Sequence, residues 1–166
     1  MIAVGDFKLV QADTKHLPWL VRWKNSSHAY QWRPTTIGFE AAAVSSKQGQ
    51  TFIGLKSGAP LGFVEVMLAS PAARVKKITA YTELPQDLAP LVGMLADVEF
   101  KIMGTNKLIV DTPAQDPAVK VYESIGFKIE VRKRQHLWQA GKPVSVVQLG
   151  LLAKNYDRNQ STIASN

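Results

Sequence analysis

Residues 118–127 read AVKVYESIGF, and this stretch decides the fold. Val119, Tyr122 and Ile125 recur at helical spacing, Asp116 is placed to act as N-cap, and Pro117 fits the first helical position. Gly126 supplies the left-handed residue that stops a helix, and Phe127 then opens a strand. A tyrosine on the last turn of a helix that runs into a strand can reach a site at the strand ends. That makes Tyr122 the first candidate for chemistry, beside its plainer role as a core residue of an amphipathic helix.

The surrounding pattern extends the reading in both directions. Residues 7–10 alternate as a half-buried strand does, and Asp13 can cap a helix running to about Lys24. A second helical stretch follows Thr35 and Thr36 and ends near Gly49. Strands at 52–56 and 61–68 form a hairpin around residues 57–60, and residues 75–82 make the next antiparallel strand. Apolar spacing from Leu88 to Met103 is helical and closes at Gly104. Residues 107–110 form a short apolar run suited to a buried parallel strand. Beyond Phe127 a long hairpin runs through 144–152. The order implies a single α/β domain over residues 1–153, a mixed, mostly antiparallel sheet with helices on both faces. The polar tail 154–166 is expected to fray.

With 166 residues and 46% hydrophobic content, the chain has the composition of one globular domain. It has no cysteine, which excludes thiolate catalysis, disulfides and cysteine-ligated metal, and fits a reducing cytoplasm. His16, His28 and His136 are isolated, without metal-ligand spacing, so no metal is expected. There is no signal-peptide pattern at the start and no run long enough to span a membrane. The net charge of +7 favours acidic partners, and Arg132, Lys133 and Arg134 concentrate it. Residues 78–100, by contrast, hold no lysine or arginine but include Glu83, Asp87, Asp97 and Glu99.

The element order and the YESIGF segment resemble the GNAT-type acyl-CoA N-acyltransferases. The fourth-helix signature of that family is an Asn, then Ala, Ile or Val, a free position, Leu or Val, Tyr-Glu, two free positions and Gly-Phe. Ala118, Val119, Val121, Tyr122, Glu123, Gly126 and Phe127 match it, with Gln115 at the Asn position. The opening segment and the closing VVQLGLL resemble the branch that acetylates ribosomal proteins and aminoglycosides, so the resemblance covers residues 7–152.

The resemblance implies transfer of an acetyl group from acetyl-CoA to an amine on a protein or small molecule. Tyr122 would protonate the departing thiolate, and Glu65 and Glu83 are candidates for the base by location. The family's pyrophosphate loop begins with Gln or Arg, has a glycine at its fourth position and ends in Gly or Ala. In the register set by helix length it falls on residues 84–89. There Leu84 replaces the polar residue, Asp87 stands where glycine is expected, and Ala89 fits. Amides near Leu88 and Ala89 would hold the pyrophosphate, and Gln115 the pantetheine arm. A carboxylate at 87 would repel phosphate and cap the helix itself, giving weak or lost cofactor binding. The other expectation is therefore a catalytically inactive GNAT-fold module, a pseudoenzyme, binding an acidic protein or nucleic acid through Arg132, Lys133 and Arg134.

Overall fold

The computed structural model describes residues 2–26, 45–46, 49–139 and 141–156. In chain order the elements are β1 (Ile2–Val4), β2 (Phe7–Gln11), α1 (Leu17–Ser26), β3 (Ser45–Ser46), β4 (Gly49–Lys56) and β5 (Ala59–Ser70). Next come β6 (Val75–Thr82), α2 (Leu88–Lys101), β7 (Lys107–Pro113), α3 (Ala118–Ile125), β8 (Lys128–Gln139) and β9 (Lys142–Leu152). The strands form one sheet in the order β1-β2-β4-β5-β6-β7-β9-β8, with β3 paired to β4. Every join is antiparallel except β6 to β7, which the α2 crossover makes parallel.

The helix expected within residues 118–127 forms as α3. Gly126 adopts φ 112° and ends α3, while the Asp116 carboxylate accepts the Ala118 amide at 2.8 Å. The helix begins one residue later than the spacing suggests, with Pro117 at the cap. Neighbouring residues divide between two cores: Leu9 and Val64 pack with α2 and α3, Val10 and Phe63 with α1. Helices therefore cover both faces of the sheet, as alternation along β2 and β5 requires.

Four features depart from the sequence reading. A hairpin, β1–β2, precedes the expected first strand, turning at Gly5 with φ 61°. Asp13 caps a 3₁₀ turn, Thr14–His16, in a reciprocal capping box with His16, and α1 follows it. The expected helix over 35–49 lies mostly outside the described residues, but Ser45 and Ser46 pair with Gln50 and Gly49 as a strand. Finally, residues 153–156 are helical, and Tyr156 is only 2% exposed. Its ring packs on Phe100 with centroids 5.3 Å apart, and its hydroxyl donates to the Gly93 carbonyl at 3.3 Å. The packed domain thus continues past residue 153 into the segment expected to fray. The remaining tail, 157–166, lies outside the described residues.

Candidate active site

The parallel ladder between β6 and β7 pairs only Val75–Lys107 through Ile78–Val110. Beyond it the two strands continue to Thr82 and Pro113 without pairing to each other, and a cleft of about 410 Å³ opens between them. That size suits a small-molecule site. Ala80, Val110, Leu88, Ala118 and Val121 give it an apolar wall, and Ser26 brings the end of α1 to its rim. The start of α2 meets it through Pro85 and Leu88.

Tyr122 lines this cleft at 3% exposure, its ring edge-on to Phe127 at 5.4 Å. Among the described residues nothing hydrogen-bonds its hydroxyl, yet that oxygen is not a sealed, unsatisfied group. It therefore borders the cleft as a free donor. Burial first, and the Asp116 carboxylate second, push the phenol well above its ordinary range, so it keeps its proton at neutral pH.

Glu83 lines the same cleft. Its Oε1 accepts the indole N–H of Trp23 at 2.8 Å and lies 3.6 Å from the Arg22 guanidinium. Glu65, the other base candidate, does not line the cleft. The buried Lys24 ammonium holds it from α1, and the Thr51 hydroxyl reaches it at 3.4 Å. Of the two carboxylates only Glu83 shares a space with Tyr122.

A third carboxylate, Asp111, was not singled out by the sequence because its partners come from other strands. It accepts from Lys77 at 2.8 Å, Gln148 at 3.1 Å and Lys133 at 3.2 Å. Burial alone would raise its carboxyl, but the bonds and charges of Lys77 and then Lys133 outweigh that and hold it below the ordinary 3.8. A depressed folded value means the stabilisation is present above the unfolded value and lost as pH falls through the folded one. Asp111→Asn should therefore lower the melting temperature at pH 7. The gap from wild type should close as pH drops below about 3.8, and melts across that range check it.

The candidate cofactor loop differs from its expected form. Asp87 makes no side-chain cap to α2. Instead it is 4% exposed, and its Oδ1 lies 3.2 Å from the Lys56 ammonium, which stands over the Phe7 ring. The expected self-capping carboxylate is absent because a lysine 31 residues away claims it. The chain enters α2 through a 3₁₀ turn, Pro85–Asp87, in which the Asp87 and Leu88 amides donate to the Leu84 and Pro85 carbonyls. The Leu88 amide expected to meet a phosphate is thus engaged in the turn. Leu84, Asp87, Ala89 and Gln115 are not among the residues lining the cleft; Leu88 is.

The basic run lies on β8 at the sheet edge. Lys133 turns to Asp111, while Arg132 and Arg134 are exposed. The β8–β9 register shifts between Lys133 and Leu137, where Gln135 has φ 46°.

No family model and no curated protein sequence matches the chain. Solved structures do. A spermidine N-acetyltransferase from Vibrio cholerae in complex with CoA and spermine matches with TM-score 0.80 at 17% identity, covering 92% of this chain and 99% of that one. Mutant forms of the spermidine/spermine N-acetyltransferase from that organism match with TM-score 0.81 at 16% identity, over 95% and 99%. A dodecameric form of the enzyme in an intermediate state matches with TM-score 0.78 at 18% identity, over 92% and 97%. The chain has the fold of the GNAT acetyltransferases.

Proposed function

We propose that this protein is an acetyl-CoA-dependent N-acetyltransferase acting on an amine that arrives as a cation. The observation that carries the reading is one cleft holding a protonated phenol, Tyr122, and a carboxylate with one free oxygen, Glu83. Acyl transfer from a thioester to an ammonium ion is helped by a proton acceptor and a proton donor, and these two groups can supply them. Glu83 takes the proton from the ammonium so that nitrogen can attack the carbonyl carbon. Tyr122 supplies a proton to the sulfur as the carbon–sulfur bond breaks, and the nitrogen's second proton leaves to solvent.

The gap between β6 and β7 suits a narrow, amide-bearing arm, since strand backbone faces it on both sides and apolar side chains line one wall. Withdrawal of the Asp87 charge onto Lys56 removes the repulsion expected for phosphate near the start of α2. With two amides of that turn already engaged, fewer donors remain for phosphate than in the glycine-containing family loop.

Polyamines are the first acceptors to test, because the structural neighbours are named for spermidine and spermine. The chain contains no cysteine, so a thiol reagent would read released CoA without background from the protein. The expected result is saturable CoA release that requires enzyme and spermidine together. Acetyl-CoA at ~100 times its dissociation constant should also stabilise the fold by about 2.7 kcal/mol. No release with a panel of amines, together with no thermal shift at millimolar acetyl-CoA, would overturn the reading in favour of a non-catalytic module.

A further inference from the structure

We propose that Trp23 is a positioning residue that aims the Glu83 carboxylate into the cleft, an inference resting on Glu83 as the proton acceptor. Two groups from α1 address a single oxygen: the Trp23 indole N–H donates to Oε1 at 2.8 Å, and the Arg22 guanidinium lies 3.6 Å from the same oxygen as an ion pair. The second oxygen, Oε2, has no partner among the described residues, and Glu83 lines the cleft. The carboxylate is therefore held by one oxygen and offers the other.

Trp23 is suited to this because it cannot move. It is 1% exposed, stacked on Phe63 at 6.4 Å and 20°, and belongs to the core under α1. The next residue, Lys24, is itself buried and fixed to Glu65 on β5, which pins this turn of α1 to the sheet. The Glu83 backbone is fixed as well, its amide donating to the Leu61 carbonyl at 3.0 Å. The Glu83 side chain, with 43% of its surface exposed, is not fixed by packing and depends on its hydrogen bond for a single orientation. Without the indole N–H, a glutamate at such a site samples several rotamers, and only some present an oxygen to the amine. Arg22 is no substitute, because its own side chain is 72% exposed and long.

The test separates aim from packing. Trp23→Phe keeps a stacked ring but removes the donor, and is expected to lower kcat with spermidine about 10-fold while the KM for acetyl-CoA stays within about 2-fold. In a Glu83→Ala background the same change should leave the residual rate unaltered, since no carboxylate remains to aim. Equal losses in both backgrounds would assign Trp23 to packing alone and overturn the proposal. If Trp23→Phe does not fold, benzothienylalanine at position 23 keeps the ring's shape and replaces N–H with sulfur. It should show the same loss in kcat, and a wild-type kcat for it would also overturn the proposal. Absence of turnover in the wild-type protein is a different failure, since it removes the acetyltransferase reading itself.

Discussion

Replacing Tyr122 by phenylalanine is expected to lower kcat by roughly 100- to 1,000-fold, the contribution typical of a positioned proton donor. Phenylalanine keeps the ring that packs edge-on against Phe127 and loses only a hydroxyl that no described residue binds. The melting temperature and the KM for both substrates should therefore change little. That split is the informative part: the lost group acts when the thiolate leaves, not when substrates bind. Steady-state rates of CoA release together with a thermal melt decide it. A kcat within 2-fold of wild type would take Tyr122 out of the mechanism and return it to the core of α3.

The second large effect is on stability. Tyr156→Ala should cost about 3–5 kcal/mol, as for other large aromatic side chains removed from a core. At this chain length that is a fall in melting temperature of roughly 10 °C. Tyr156 is 2% exposed, belongs to the main core, and has the Lys101 ammonium 5.9 Å from its ring centre. Tyr156→Phe keeps the ring and gives up the 3.3 Å bond to the Gly93 carbonyl, and should cost about 1 kcal/mol. Calorimetry on the two variants checks both numbers. Similar melting temperatures for the alanine variant and wild type would show that residues 153–156 contribute little to the fold.

The contrast between these two tyrosines shows what the sequence could reveal. Tyr122 stands inside a local pattern, with spacing before it and the Gly126 cap four residues after, so its helix and its burial are written within ten residues. The strand at 75–82 and the parallel run at Lys107 are legible for the same reason, because periodicity and turn residues act over short range. Tyr156 lies within the polar segment 154–166, which has no periodicity, and its place is set by Phe100 and Gly93, more than 50 residues earlier. The site obeys the same rule. The position of Asp87 at the start of a helix suggests a cap, but Lys56 on β4 offers a full positive charge and wins the carboxylate. Trp23 and Glu83 are 60 residues apart, and the sequence contains no sign that they meet. By sequence Glu65 and Glu83 are equivalent as base candidates; the Lys24 ammonium on the first of them separates the two.

The short ladder between β6 and β7 has a mechanical consequence. Four paired positions, Val75–Lys107 to Ile78–Val110, join the half-sheet that carries Glu83 to the half-sheet that leads into α3 and Tyr122. The carboxylate and the phenol proposed as proton acceptor and donor thus sit on opposite sides of the point where the strands part. Any small change in how far the strands diverge above Ile78 and Val110 changes the reach between the two groups directly, before any side chain turns.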